Sequence, residues 1–232
     1  MNRRQLKKEV LTLLQEKNIA DILPQLAQYP LQSLVSPLFL ALCHQMTRVR
    51  WNAVLCFGWL VPSIAEKELE AARIVMRRFL WSLNDESGGI GWGAPEAMAE
   101  IMCHQSVLRH EYLHMLISYM REDGEELFAD GNYLELPLLQ RGLLWGVGRL
   151  CQEHRGEMVE QGVVDDIRAY LRSPDLHVAA LALWCLDLLG VVVKLEEVQH
   201  LLQCKETIEL FLDNEIKHIS PAELARRILP GK

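Results

Sequence analysis

The sequence lacks an excess of basic residues and any apolar segment long enough to cross a membrane. Lysine and arginine number 24 against 31 acidic residues, so the formal net charge is −7. Proteins that bind nucleic-acid backbones normally carry a positive excess, which disfavours a nucleic-acid partner. No apolar run reaches the roughly 18 residues of a transmembrane helix, and the basic N-terminus is not followed by the apolar region of a secretory signal. We therefore expect a cytoplasmic protein with no membrane partner.

Several motifs of known chemistry are also missing. The six cysteines include no Cys-x-x-Cys pair, so reduced, buried thiols are expected rather than a disulfide framework. The sequence contains neither a phosphate-binding loop nor the Gly-x-Ser-x-Gly motif of a serine nucleophile. These absences disfavour nucleotide-dependent and serine-dependent enzymes, and we predict no cofactor.

The residues that are present follow a helical period almost throughout. Half of them are hydrophobic, and Leu6, Val10 and Leu13 illustrate the spacing of three and four that places apolar residues on one helix face. Clear alternation with a period of two is absent. The sequence therefore predicts an all-α fold with almost no strand.

Four segments of the chain align with one another, which indicates a repeat. They are residues 49–58, 93–102, 139–148 and 178–187. Their shared small or apolar position is occupied by Ala53, Ala97, Leu143 and Ala182. Helix pairs that cannot bury an apolar face alone are expected to stack and share a core. Small residues that would allow close approach of these helices are Ala53, Gly58, Gly146, Gly148 and Ala182.

Residues 49–58 resemble the pattern Val-Arg-x-x-Ala-x-x-x-Leu-Gly of short bacterial HEAT-like modules, with Phe57 in the leucine place. The stretch 84–97 also resembles a block from an uncharacterised group of bacterial HEAT-repeat proteins. The resemblance implies a right-handed α-α superhelix of roughly four to five helix pairs. It further implies a single domain over 1–232, with an N-terminal cap at 1–30 and a C-terminal cap at 191–232. Because HEAT-like proteins mostly bind other proteins, it implies a binding role.

A glycine-rich block around Trp92 is the least generic part of the sequence. Glycine lets backbone approach a ligand closely, and Pro95 indicates a helix start. Glu96 and Glu100 share one helix face, and the repeat alignment places Arg141 beside Glu96. The predicted ligand site on the concave face comprises Asn52, Asn84, Asp85, Glu86, Trp92, Glu96, Glu100 and Arg141. The alternative is structural: an acid that caps the helix, or a salt bridge between repeats.

A second candidate site lies at His110-Glu111-Tyr112-Leu113-His114, which matches the His-Glu-x-x-His spacing of zinc enzymes. Both histidines would reach one metal, with Glu111 as the base. The segment also resembles the His-Glu motif of HEAT-repeat di-iron hydroxylases, which need several such pairs, whereas this chain has one. We predict no bound metal, and a metal-dependent hydrolase or hydroxylase remains the enzyme alternative.

Six tryptophans raise the question of base stacking, but four lie in strongly apolar segments, so core packing is expected. An arginine patch at Arg48, Arg50, Arg77 and Arg78 keeps open a resemblance to HEAT-like DNA-repair proteins. The sequence favours a non-catalytic scaffold that holds a protein, a peptide or a small ligand.

Overall fold

A computed structural model describes residues 2–16, 18–84, 91–122 and 132–230. Within them lie thirteen α-helices, a 3₁₀ turn at Tyr170–Arg172 and one β-hairpin. The first helices are α1 (Arg3–Leu13), α2 (Ile19–Leu26), α3 (Leu31–Leu42), α4 (Thr47–Ala65), α5 (Leu69–Leu83), α6 (Ala94–His104) and α7 (Ser106–Ser118). The later helices are α8 (Pro137–Glu153), α9 (Arg155–Glu160), α10 (Val164–Ala169), α11 (Leu176–Leu189), α12 (Leu195–Leu202) and α13 (Pro221–Arg227). The predicted all-α fold is confirmed.

The chain divides into two compact units, unit 1 at Met1–Leu113 and unit 2 at His114–Lys232. Each unit has its own buried apolar core, built from helices that are close in sequence. The single domain with terminal caps at 1–30 and 191–232 stays a prediction.

In unit 1 the central helix is α4, which packs against α2, α3, α5 and α6. Its charged residues, Arg48 and Arg50, lie in the first two turns, and the remaining turns carry none. Phe57 of α4 meets Phe39 of α3 and Phe79 of α5 edge to face, with ring centroids 5.1 Å and 4.9 Å apart. This apolar length allows α4 to be surrounded by neighbouring helices without burying an ionised group.

In unit 2 the corresponding central helices are α8 and α11, which pack against each other. Helix α11 begins after Asp175, whose carboxylate accepts hydrogen bonds from the N–H groups of His177 and Val178. It ends at Gly190, which has a φ of 67° and supplies the left-handed conformation of the C-terminal cap. Apolar side chains fill α11 between these caps, and α13 packs on it.

One short β-hairpin accounts for all the strand in the described residues, in agreement with the prediction of almost no strand. Strands β1 (Ile208–Leu212) and β2 (Glu215–Ile219) pair antiparallel, with Leu212 opposite Glu215. The two connecting residues, Asp213 and Asn214, have φ values of 52° and 62°. Positive φ at both central residues is the geometry of the type I′ turn, whose twist matches that of paired strands.

Side chains from two helices cover the outer edge of β1. The indole Nε1 of Trp145 in α8 donates a hydrogen bond to the carbonyl oxygen of Phe211 at 2.9 Å. The ring of His177 in α11 forms a hydrogen bond with the backbone of Glu209. Because Glu209 and Phe211 are two residues apart, both contacts lie on the same edge of the strand. The hairpin is thereby fixed to the α8–α11 pair.

The four positions that define the sequence repeat occupy equivalent places in the fold. Ala53, Ala97, Leu143 and Ala182 lie on α4, α6, α8 and α11, and none of them has exposed surface. Helix α4 stacks on α6 in unit 1, and α8 stacks on α11 in unit 2. The repeat therefore consists of stacked helices with small or apolar residues on their buried faces, as predicted.

The aligned glycines Gly58 and Gly148 lie where the two helices of each stack approach one another closely. A Cβ atom added at Gly58 would lie 2.6 Å from Cγ of Glu100 in α6. One added at Gly148 would lie 2.1 Å from Cζ3 of Trp184 in α11. Both distances are too short for a real side chain, so the predicted close approach at these two glycines is confirmed.

Candidate functional site

The first turn of α6 carries the central residues of the predicted site. Gly93 caps this helix with a φ of 73°, and a Cβ there would also lie 3.0 Å from Leu42 of α3. Glycine is thus required both for the backbone conformation and for contact with α3. Trp92, just before it, keeps 40% of its surface exposed. The chain therefore presents an aromatic ring immediately before a helix start.

The Glu96 carboxyl group lies in an enclosed position in this same turn. Although the residue as a whole is half-buried, Oε2 has no access to solvent and no hydrogen-bond partner in the described residues. Burial raises the pKa of Glu96 to about 7, while its own backbone N–H and the charge of Arg50 act in the opposite direction. The group is therefore partly protonated near neutral pH.

Arg50, rather than Arg141, is the guanidinium that acts on Glu96. Arg50 donates hydrogen bonds to the carbonyl oxygens of His44 and Gln45, at 3.0 and 3.3 Å, and so closes the connection before α4. Arg141 instead pairs with Asp175 through two hydrogen bonds of 3.1 and 2.5 Å. The carboxylate that caps α11 therefore binds this arginine, and the expected approach of Arg141 to Glu96 stays a prediction.

Asn52 and Glu100, two further residues of the predicted site, form hydrogen bonds with different parts of unit 1. The Asn52 amide donates to the carbonyl oxygens of Leu14 and Glu16, at 2.9 and 3.0 Å, and satisfies backbone groups that follow α1. Glu100 is only 3% exposed, and its Oε1 lies 3.0 Å from Nε2 of His104. The Asn52 amide therefore has a structural role. The Glu100–His104 pair instead links the contact between α4 and α6 to the protein surface.

The remaining acids and amide of the prediction lie before the described part of α6. Asn84 forms the C-terminal cap of α5, and its N–H donates to the carbonyl oxygen of Leu80 at 3.1 Å. Asp85 and Glu86 lie outside the described residues. The structure thus places Trp92, Glu96 and Arg50 at one end of unit 1, and leaves the two acids as predictions.

The histidine pair of the predicted metal site lies on α7. His110 and His114 are both exposed. Glu111 accepts a hydrogen bond from Nε of Arg73 at 2.9 Å and a second one from its Nη2, and this arginine lowers the pKa of the carboxyl. A carboxylate held by a guanidinium is a poor general base. Within the described ranges, no group of three or more potential ligands is arranged to hold a metal ion.

The arginines that suggested a nucleic-acid surface mostly have partners within unit 1. Arg77 donates to Glu70 at 2.6 Å, and the guanidinium of Arg78 lies 3.9 Å above the ring of Phe39. Arg50 is bound to backbone carbonyl oxygens, as described above. Of these charges only that of Arg77 is shown to be paired with an acid, and the nucleic-acid alternative stays a prediction.

A groove of about 450 Å³ runs along α1 and α2. Its lining residues are Gln5, Lys8, Glu9, Thr12, Leu13, Gln25, Gln28 and Tyr29. The carboxylate of Glu9 accepts hydrogen bonds from Gln5 and from the Tyr29 hydroxyl, each at 3.0 Å. The groove is therefore lined mainly by polar side chains, and several of them bind one another.

Sequence reasoning missed an apolar surface on α4. Trp51, Leu55 and Trp59 are spaced four residues apart and are half-buried along one side of the helix; we call these three residues the α4 face. The expected core packing of tryptophans holds for Trp145 and Trp184, which are 4% and 5% exposed. An available signal was that α4 carries no charge after Arg50, so no side of its later turns is polar.

Exposed apolar surface on a long helix raises the question of a membrane. In the part of the chain that the structure describes, no helix combines the length and apolar character needed to cross a bilayer. The α4 face is bordered by polar groups. Arg48 is exposed on the same side of the helix, and His104 and Glu100 lie beside Gly58. An apolar strip with a polar border is typical of a protein-binding surface.

No protein-family profile and no curated protein matches this sequence. Two engineered proteins solved by the Northeast Structural Genomics Consortium align with it at 14% identity. One has a TM-score of 0.55 over 97% of this chain and 89% of its own, and the other 0.50 over 99% and 96%. A designed armadillo repeat protein aligns at 15% identity with a TM-score of 0.43, over 95% of this chain and 97% of its own.

Solved structures with such low sequence identity to this chain are informative about its fold alone. Together with the stacking of α4 on α6 and of α8 on α11, they support an all-α, helical-repeat architecture. The HEAT-like assignment, the bacterial origin and the cytoplasmic location stay predictions.

Proposed function

We propose that this protein is a non-catalytic binding protein that holds a polypeptide partner on the α4 face. The observation that carries the proposal is that Leu55 and Trp59 keep part of their surface exposed on a helix that is otherwise surrounded by its neighbours. A helix that is apolar on every side is normally covered on every side. A partner would supply the missing cover.

The chemistry of the α4 face suits a protein partner. Tryptophan contributes large, rigid apolar area, and it is enriched among the residues that dominate binding energy at interfaces. Each Å² of apolar surface removed from water contributes about 25 cal/mol. The polar border, with Arg48 at one end and the Glu100–His104 pair alongside, would set the orientation of the partner.

We propose that the predicted site at the start of α6 forms the outer end of the same binding surface. Arg50 directly precedes Trp51 in the sequence and acts on the Glu96 carboxyl, so Trp92 and Glu96 lie near the first turn of α4. We propose that the partner extends from the α4 face toward Trp92. Asn84, Asp85 and Glu86 remain candidates for this outer contact.

Selection from a display library of short random peptides tests the proposal. We expect the full chain to enrich related peptides, and Leu55→Asp to weaken their binding at least about tenfold by placing a charge in the apolar strip. Ile74→Asp is the matched control, because Ile74 is 56% exposed on α5, away from the α4 face.

Thermal unfolding of both variants separates a lost surface from a lost fold. Retained stability with lost binding in Leu55→Asp alone supports the proposal. Peptides that bind Leu55→Asp as well as they bind the wild type would contradict it, and so would a selection that enriches nothing.

A further inference from the structure

The hairpin of unit 2 has one edge that its helices bind and one that points away from them. The backbone of Phe211 and that of Glu209 bind Trp145 and His177 on the outer edge of β1. In an antiparallel pair, residues whose backbone groups point outward lie opposite each other, in alternation with the hydrogen-bonded pairs. The residues opposite Phe211 and Glu209 in β2 are Ile216 and His218. Their backbone groups therefore point outward on the other side, and we call this side the β2 edge.

The β2 edge is accessible to another strand. Within the described residues, the backbone groups of Ile216 and His218 form no hydrogen bond outside the hairpin. Both residues are exposed, and Ile216 keeps 39% of its surface open although its side chain is apolar. An unpaired strand edge is a template on which a further strand can pair. The β2 edge thus offers backbone donors, backbone acceptors and one apolar side chain.

We propose that two copies of this chain associate through the β2 edge, with the two β2 strands antiparallel and Ile216 opposite the partner's Ile216. These two residues would exchange both backbone hydrogen bonds, and their side chains would lie side by side on one face of the joined sheet. The inference goes beyond the proposed function, because it concerns a surface of unit 2 and does not depend on the α4 face.

The charges of β2 favour a second copy as the partner and fix this register. With Ile216 on the symmetry axis, Glu215 lies opposite the partner's Lys217, and Lys217 opposite the partner's Glu215. These are the pairs without mutual backbone hydrogen bonds, in which facing side chains lie closest. A register centred on Lys217 would place two lysines opposite each other, and one centred on His218 would place Lys217 opposite an isoleucine.

Lys217 is available for this contact. Within the hairpin it forms an ion pair with Asp213, and the two side chains are 42% and 72% exposed. An exposed pair of this kind contributes little to stability. The lysine can therefore turn toward the partner's Glu215 at small cost.

The covered edge of β1 limits the association to two copies. The joined sheet would have the strand order β1-β2-β2-β1, so its outer edges are the two β1 edges that Trp145 and His177 bind. An interface that uses the same surface on both copies closes on itself. We therefore expect a dimer rather than a chain of copies.

Sedimentation equilibrium of the full chain over a range of concentrations tests the inference. We expect the wild type to form a dimer that dissociates on dilution. Glu215→Lys and Lys217→Glu should each weaken the dimer about tenfold, because like charges then face each other at two places. The two substitutions change the net charge in opposite directions, so a general charge effect would not weaken both.

An equimolar mixture of these two variants should dimerise as well as the wild type, because a lysine again faces a glutamate at both places. Glu206→Lys is the matched control, since Glu206 is exposed before β1 and this change alters the net charge as Glu215→Lys does. It should leave the dimer unchanged, and so should Leu55→Asp on the α4 face.

A wild type that stays monomeric up to the limit of its solubility would overturn the inference. A dimer that neither charge variant weakens, or that Leu55→Asp abolishes, would place the contact elsewhere and also overturn it. Weak variants whose mixture stays weak would contradict the register centred on Ile216. None of these results bears on peptide binding to the α4 face, so the two proposals fail separately.

Discussion

The two helix stacks, α4 on α6 and α8 on α11, each have a glycine at the same repeat position. The side chain that the second helix places against this glycine differs between the two stacks. Gly58 approaches Glu100, a flexible chain whose neighbour His104 is half-exposed. Gly148 approaches the ring of Trp184, which is 5% exposed. A rigid, buried ring cannot move aside, whereas a flexible side chain that lies against a half-exposed neighbour can adjust together with it. The same repeat position should therefore tolerate change differently in the two units.

The largest effect is expected from Gly148→Ala. The added Cβ would lie 2.1 Å from Cζ3 and 2.5 Å from Cε3 of Trp184, so either the ring or α8 must shift. We expect overpacking to lower the free energy of unfolding by about 3 kcal/mol, as measured by urea denaturation.

Gly156→Ala is the control for that substitution. Gly156 lies in α9, and an added Cβ would meet nothing within 4 Å. Because alanine is the better helix former, this variant should be neutral or up to about 1 kcal/mol more stable. Equal stability of the two variants would show that Trp184 yields easily.

The next effect concerns pH and unit 1. The pKa of Glu96 is about 7 in the folded chain, against an ordinary value of 4.5, so the folded protein holds a proton that the unfolded chain releases. Stability should therefore fall as pH rises from about 4.5 to 7, by about 3 kcal/mol, and change no further through this group above that range.

Glu96→Gln removes the titration while keeping the shape of the side chain. Denaturation at several pH values should give a flatter profile for this variant than for the wild type. Parallel profiles would mean that Glu96 is ionised in the folded protein without penalty.

A third test concerns unit 2, where Arg141 binds the residue that caps α11. Burial raises the pKa of Asp175, but hydrogen bonds from Arg141 and from the Val178 N–H outweigh it, and the pKa is lowered overall. Arg141→Ala should destabilise the fold by about 1.5 kcal/mol, because a charge-assisted, two-bond contact is lost. Arg121→Ala is the control, because Arg121 is 55% exposed in its pair with Asp166 and should lose less. A larger loss in Arg121→Ala would reverse this ranking.

The smallest effect is expected from Gly58→Ala, the counterpart of the first substitution. Glu100 Cγ would lie 2.6 Å from the new Cβ and His104 Cδ2 3.2 Å from it, but both atoms belong to side chains that can adjust, because the His104 side chain is 49% exposed. We expect a loss of about 1 kcal/mol, partly offset by the better helix propensity of alanine. A loss as large as that of Gly148→Ala, in the same denaturation assay, would contradict the distinction between a flexible and a rigid neighbour.

The repeat could be predicted from the sequence because close helix contact requires small residues. Glycine stands at both of the aligned contact positions, Gly58 and Gly148. The hairpin was missed because Phe211 interrupts the alternation of Ile208 and Leu210, and both Leu210 and Phe211 are buried. A signal did exist: asparagine and aspartate tolerate positive φ, so the Asp213-Asn214 dipeptide between β-branched and aromatic residues was a candidate turn.

Part of the candidate site was also predictable, again because of its glycines. The glycine-rich sequence around Trp92 indicated a helix start, but the charge that acts on Glu96 depends on which loop comes near it, and repeat alignment could not identify Arg50 as that charge. The α4 face could not be inferred because an apolar helix does not reveal which of its sides the neighbours leave open. Only the packing of α2, α3, α5 and α6 around α4 decides that.

The covered edge of β1 has a consequence for aggregation. An unpaired strand edge is a template on which other chains can stack, and fibrils grow only when strands pair on both sides. In this hairpin the Trp145 indole and the His177 ring bind the edge of β1 at Phe211 and Glu209. The charged side chain of Lys217 stands on the other strand, where a further strand would have to pair. The hairpin is thus protected against fibril growth while it remains bound to its helices.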